Sequence, residues 1–230
     1  MSQQYIGTGI LLFQAIKMES LIGMRGRFLV EGQIAAGKTT FLNKVQSQTE
    51  TLGGLEVRVI HEPTKLWCKS PMGDLLAAAT ADPLKRFAMF QVYAQLTIRQ
   101  TRQPVVQDWV SLEERSIYSS NQVFSRANPE AINTSDQFIL DELQEFMTSS
   151  DQISGIFYFH VPPAVAWTRL CARGTATDSV LSLPYLVRLE EAYSRWMESN
   201  PCGGAPLLWV NGMETPDPAE LLLKMQSKII

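Results

Sequence analysis

The chain has 230 residues, 45% of them apolar and 19% charged, and a formal net charge of −3. That length suits one sizeable core, with a single α/β domain as the default, and the slightly acidic balance offers no bulk basic field for nucleic acid. Three cysteines (Cys68, Cys171, Cys202) without C-x-x-C spacing fit a reducing compartment better than a disulfide framework.

Residues 1–26 read as an N-terminal extension ahead of a domain over 27–230. Ile10-Leu11-Leu12-Phe13 is too short to span a membrane and lacks the preceding basic residues of a secretory signal. The stretch is also poor in the Arg and Ser of a transit peptide, so a cytoplasmic location is expected over a mitochondrial one, with no membrane partner. Met24 can serve as an alternative start.

Phe28-Leu29-Val30 is an apolar run ending in Glu31. Gly32-Gln33-Ile34-Ala35-Ala36-Gly37-Lys38-Thr39 then fits G-x-x-x-x-G-K-[ST] at every fixed position, followed by Thr40 and the helical Leu42 and Val45. Such a strand–loop–helix unit cradles phosphates on backbone N–H groups and a helix N-terminus. Lys38 would reach the β- and γ-phosphates, and the Thr39 hydroxyl would hold Mg²⁺.

Gly53-Gly54 breaks the chain, and Glu56–His61 reads as a second strand. It runs into Glu62-Pro63, which sets a carboxylate at a strand's C-terminal end, where open α/β sheets bind ligands. Glu62 is either a general base near the γ-phosphate or a solvated loop residue. His61 and His160 each close an apolar run and read as strand-end residues rather than metal ligands. Asp82 as N-cap and Pro83 at the first helical position start a helix carrying Phe87, Phe90, Ala94 and Ile98 at helical spacing as far as about Arg102. Gln91 lies near that stripe, and its amide can both donate to and accept from a ligand edge.

Pro104–Leu112 is strand-like, and Glu113-Glu114-Arg115-Ser116 reads as the opening of a helix. The acid there can hold Mg²⁺ and the arginine can stabilise a transferring phosphate. An amphipathic helix over 134–148, capped by Thr134 or Ser135, precedes the buried strand Gly155–Val161. Pro162-Pro163 opens a helix to Arg173, with Arg169 and Arg173 on one face; they would repel unless an anion lay between them. Gly174–Ser182 is a small polar flap. A helix over Leu183–Ser199, a strand over Leu207–Val210 and a helix over Pro218–Lys228 complete five parallel strands with helices on both faces.

VEGQIAAGKTT, EPTKLW, DPLKRFAMFQVYAQLT and EERSIYSS, in this order and spacing, resemble the deoxynucleoside kinases, including some viral thymidine kinases, from about residue 27 to about 212. The resemblance implies a P-loop kinase fold with an arginine-bearing lid, ATP and Mg²⁺ as cofactors, a small deoxynucleoside as partner and a homodimer formed through helices. It implies that Glu62 deprotonates the 5′-hydroxyl, Trp67 lines the nucleoside site, Gln91 pairs with the base and Phe124 stacks on it. Glu114 then holds Mg²⁺, Arg115 lies beside the 5′-oxygen, Arg169 and Arg173 belong to the lid over ATP, and Asp178 lies near the sugar 3′-hydroxyl. The chain departs from the pattern at Thr175, where a third lid arginine is common, at Thr80, where a tyrosine is usual, and at Asp178, where a glutamate is expected. Ala94 and Ser120 match a charged pair found where deoxycytidine and purines are favoured. Both are small here, which points to pyrimidines and to thymidine first. The rival readings are a nucleoside monophosphate kinase of thymidylate type and a non-catalytic nucleotide-binding protein.

Overall fold

The computed structural model describes residues 24–48, 51–52, 55–102, 109–175 and 178–229. Most of the N-terminal extension, the glycine pair at 53–54 and the Pro104–Val106 start of a strand lie outside the described residues.

The centre is β1 (Gly26–Glu31), whose Phe28, Leu29 and Val30 are wholly buried, as a run apolar on both faces requires in a sheet covered from both sides. It leads through the glycine loop into α1 (Lys38–Gln48). The next elements are β2 (Thr51–Leu52), β3 (Leu55–Ile60), α2 (Thr64–Cys68), α3 (Leu75–Ala81) and α4 (Pro83–Thr101). β4 (Trp109–Glu114) precedes α5 (Ile117–Ser119), which runs on as a π-helical segment over Ser120–Ser125. Then come α6 (Thr134–Thr148), β5 (Ile153–His160), α7 (Pro163–Arg173), α8 (Leu183–Glu198), β6 (Leu207–Asn211) and α9 (Pro218–Ile229).

The sheet order is β2-β3-β4-β1-β5-β6. The five expected strands are all present and mutually parallel. A sixth corrects the count: β2 pairs antiparallel with β3, Thr51 opposite Glu56 and Leu52 opposite Leu55. Two residues carry no periodicity to read. Alternation along β5 covers both faces of the sheet. Phe157 packs on Phe41 of α1 at 5.9 Å, while its neighbour Tyr158 packs on Tyr193 of α8 at 5.6 Å.

Three local expectations change. Glu113 and Glu114 end β4 rather than open a helix, because a Ser116–Ser119 capping box starts α5. Asn133, not Thr134 or Ser135, caps α6, with Asp136 returning the bond. Asp82 precedes α4 without a side-chain cap bond, whereas Asp74 caps α3 by accepting from the Ala77 N–H at 2.8 Å.

β4 is anchored by a buried ionic quartet. Arg27 reaches Glu113 and Asp151, each at 2.7 Å, and Arg102 reaches the same two acids at 3.0 and 2.7 Å. Two cations against two carboxylates leave the cluster neutral, the condition under which burial is tolerable.

Candidate active site

The parallel strands present their C-terminal ends together, and β1 lies between β4 and β5, where the connections diverge to opposite sides of the sheet. Open α/β sheets bind ligands at that crevice. Two cavities meet there, one of about 920 Å³ and one of about 380 Å³, sharing Ala35, Lys38, Thr39 and Arg173.

The smaller cavity follows the glycine loop from Ala35 to Thr40. Gly32 has φ +139°, and a Cβ there would sit 2.3 Å from the Phe159 carbonyl oxygen, so no larger residue fits. Ala35 also takes a positive φ, 62°. Lys38 Nζ donates to the Gly32 and Gln33 carbonyls at 2.8 and 3.0 Å, over its own loop. Gln33 and Ala36 are wholly buried, and the Ala36 N–H closes the loop on the Gln33 carbonyl at 3.2 Å. Gln33 donates to the Val161 carbonyl at 2.7 Å and to Glu190 at 3.1 Å, which ties the loop to α8. Ile34 lines the larger cavity.

The expected anion between Arg169 and Arg173 is not needed to hold them. Arg169 donates to the carbonyls of Ala35 at 3.1 Å and Gly212 at 2.8 Å, pinning the glycine loop to the turn after β6. Arg173 instead forms two bonds with Asp178, Nε to Oδ2 at 2.7 Å and an Nη to Oδ1 at 2.6 Å. Distinct partners offset the repulsion that their spacing creates.

At the junction of the cavities, Thr39 Oγ1 donates to Glu114 Oε1 at 2.5 Å and His61 Nδ1 meets Glu114 Oε2 at 3.2 Å. Burial works to raise the Glu114 carboxyl, but His61, Lys38 and Thr39 together hold it below its ordinary value. A hydroxyl beside an ionised carboxylate is a hard-oxygen donor set that fits Mg²⁺. Arg115 donates to Glu62 Oε1 at 2.5 Å. Its positive φ of 59°, just before the α5 cap, turns the guanidinium over the Phe124 ring at 3.6 Å and toward Trp67 at 5.2 Å.

Trp67 is wholly buried, edge-on to Phe90 at 5.5 Å, and donates its indole N–H to Thr97 at 2.8 Å. Gln91 lines the larger cavity, and its Oε1 has no protein partner among the described residues. An unpaired buried carbonyl is costly without a ligand donor. Asp178 lines the same cavity, with its carboxylate held by Arg173 and Thr175. Thr80 lines it too, but gives its hydroxyl to the Leu76 carbonyl. Ala94 and Ser120 are wholly buried and neither forms part of the cavity surface, so room for a base substituent is not made by Ala94 directly. Leu76, Ala79 and Phe87 contribute apolar surface to the cavity.

His61 directly follows β3, as expected, and also contacts Glu114; its place just before Glu62 is the signal for that contact. Asn128, Tyr185 and Arg188 also line the cavity, and nothing in their local pattern marks them. Burial pushes the Tyr185 hydroxyl up to about 12.

A parallel sheet, a phosphate-type glycine loop and a second cavity walled by an acid–arginine pair define a P-loop phosphotransferase. Residues 28–220 match the deoxynucleoside kinase family, and the chain belongs to that family. It is similar to the mitochondrial deoxyguanosine kinase of Xenopus laevis, 27% identical over 197 residues that cover 74% of this chain and 72% of the relative. It is also similar to the deoxycytidine kinase of Rattus norvegicus, 25% identical over 201 residues (73% and 74% covered). A probable deoxycytidine kinase of Fowlpox virus is 25% identical over 201 residues, covering 84% of this chain and 81% of that protein.

Proposed function

We propose that this kinase transfers the γ-phosphate of ATP to the 5′-hydroxyl of pyrimidine deoxynucleosides, with thymidine preferred. The observation that carries the reading is the Arg115–Glu62 pair lining the larger cavity, with the adjoining Glu114 bonded to Thr39, a residue both cavities share. Glu62 accepts the hydroxyl proton, and Arg115, released from part of its charge pairing, faces the transferring phosphate. Thr39 and Glu114 would hold Mg²⁺, which supplies neutralising charge to the phosphates when bound. Gly32, Gly37 and the loop backbone cradle the phosphates, with Lys38, Arg169 and Arg173 on the donor side. The transition state is loose, so positioning and charge carry most of the catalysis. Arg169 and Arg173 at the end of α7 act as the arginine-bearing lid.

The unpartnered Gln91 carbonyl supports base recognition, since it accepts from the N3–H of thymine or, with its amide reversed, pairs with cytosine. Phe124 stacks on the base and Trp67 closes its pocket. The wall of Leu76, Ala79 and Phe87 is apolar, and burying thymine's methyl there contributes about 0.8 kcal/mol. Neither Ala94 nor Ser120 supplies an ion pair for a purine edge. A carboxylate at the reacting junction favours a neutral hydroxyl over an acceptor phosphate, which counts against a monophosphate kinase.

Met89 and Leu96 on α4, with Phe138 and Phe146 on α6, are exposed apolar side chains on two packed helices, which supports a homodimer through that face. Cys68, Cys171 and Cys202 form no disulfide, which supports a reducing setting such as the cytoplasm. No helix among the described residues is long and apolar enough to cross a membrane. The test is ADP release with each of the four deoxynucleosides, with thymidine monophosphate, and with no acceptor. Thymidine should be best, deoxycytidine accepted and purines poor. Purine deoxynucleosides ahead of thymidine would refute the base assignment, and release with monophosphate alone would refute the acceptor.

A further inference from the structure

Gln33 occupies the first of the four positions that the G-x-x-x-x-G-K-[ST] pattern leaves open, yet it is wholly buried. Its amide nitrogen donates twice, to the Val161 carbonyl just past β5 at 2.7 Å and to Glu190 Oε2 on α8 at 3.1 Å. A carbonyl can only accept, so the amide has one orientation. The Gln33 backbone carbonyl in turn accepts from the Ala36 N–H at 3.2 Å and from Lys38 Nζ at 3.0 Å. Where Gln33 sits therefore sets both the closure of the loop and the resting place of its lysine.

Glu190 is itself held. Its Oε1 accepts from the Tyr158 hydroxyl at 3.0 Å and lies 3.2 Å from His160 Nε2. Both partners belong to β5, and Trp209 of β6 backs both rings, with centroids 4.7 Å from Tyr158 and 5.9 Å from His160. The Glu190 side chain is 12% exposed and lines neither cavity. It reaches a ligand only through Gln33.

We propose that Glu190 is a positioning residue for the phosphate donor. Through Gln33 it holds the glycine loop in the form that grips phosphates, and Tyr158 and His160 keep its carboxylate on target. The inference rests on the reading above that this loop takes ATP. A loop ordered before the donor arrives lowers the ordering cost of binding, so the gain falls on donor affinity. Gln33 and Glu190 form no part of the larger cavity, so the acceptor gains nothing from the brace.

Calorimetric titration reads the two ligands separately. One series uses a non-hydrolysable ATP analogue with Mg²⁺, the other the best-bound of the four deoxynucleosides, and a thermal melt shows that each variant titrated is folded. Glu190→Leu removes both acceptor oxygens and should weaken the analogue by roughly 3–10-fold, the worth of about one hydrogen bond, with deoxynucleoside affinity kept within about twofold. Glu190→Gln keeps an oxygen for Gln33 and should return analogue affinity to within about twofold of the unaltered chain, which separates the bond from the charge. Gln33→Leu should cost at least as much as Glu190→Leu, and the double variant no more than Gln33→Leu alone, because the acid acts through the amide. Unchanged analogue affinity in Glu190→Leu, equal shifts in Glu190→Leu and Glu190→Gln, additive losses in the double variant, or an equal loss of deoxynucleoside affinity overturns the inference and leaves the proposed function standing. Failure of the unaltered chain to bind the analogue overturns the ATP reading and this inference together.

Discussion

Glu62→Gln tests the proposed chemistry with little change of shape. The glutamine oxygen still accepts from Arg115, which lies 2.5 Å from Glu62 Oε1, so the junction keeps its hydrogen bond and loses a charge and a proton acceptor. A positioned base contributes about 10²–10⁴-fold, which is roughly 2.7–5.5 kcal/mol on the barrier. The Glu62 side chain is 22% exposed and outside both core clusters, so the fold should tolerate the change. Single-turnover phosphoryl transfer isolates the chemical step, and a thermal melt of the same sample checks the fold. The expected result is a turnover loss of that order, with nucleoside affinity kept within a few fold and the melting temperature lowered by only a few degrees, since Glu62 is partly exposed. Turnover within about threefold of the unaltered chain would remove Glu62 from the mechanism and leave Arg115 without its assigned partner.

Lys38→Ala should abolish ADP release, and Arg115→Ala should lower turnover by at least about 10²-fold; an Arg115 variant losing only ATP affinity would move that residue away from the reacting atoms. Gly32→Ala should yield a chain that binds no ATP analogue or fails to fold, because its Cβ would meet the Phe159 carbonyl at 2.3 Å; analogue affinity close to the unaltered value would contradict the loop geometry. Asp151→Asn leaves Arg27 and Arg102 each short of a carboxylate partner within 3% exposed surroundings. Breaking such a buried pair costs about 3–5 kcal/mol, and differential scanning calorimetry should record a fall of roughly 6–20 °C.

The parallel core was legible because its signals are local. The glycine loop needs Gly32 and Lys38 at fixed spacing, and β5 announces itself by an unbroken apolar run. The position of Glu62 just past the end of β3 was legible for the same reason, since Pro63 marks the end of the extended run. What escaped depends on partners far along the chain. The Arg173–Asp178 bond crosses only five residues, yet nothing in the spacing told which of two arginines would turn to the acid. Arg169 shows why: its carbonyl partners, Ala35 and Gly212, lie 134 and 43 residues away. The role of His61 depends on β3 and β4 being neighbours, with Ile60 opposite Glu113. The start of α5 turned on the Ser116–Ser119 box, which outweighed the acidic pair read as a helix opening.

Four consecutive residues explain how the fold fixes the junction. Glu113 and Glu114 point to opposite faces of β4, as adjacent strand residues must. Glu113 is locked in the buried quartet by Arg27 and Arg102, and Glu114 is thereby aimed at Thr39 and His61. The register sets Glu114 beside Val30, and the Arg115 N–H donates to the Val30 carbonyl at 3.2 Å, so the turn is measured from the strand that carries the glycine loop. Ser116 then caps α5 and fixes the positive φ that brings Arg115 onto Glu62. A loop could present the same four side chains, but not against a buried ionic anchor on one side and a phosphate-type loop on the other. The proposed metal-holding carboxylate and phosphate-facing arginine are therefore positioned by the sheet itself. Arg173 is the contrast: its side chain is half exposed, and its bonds go to Asp178 five residues on rather than to the sheet.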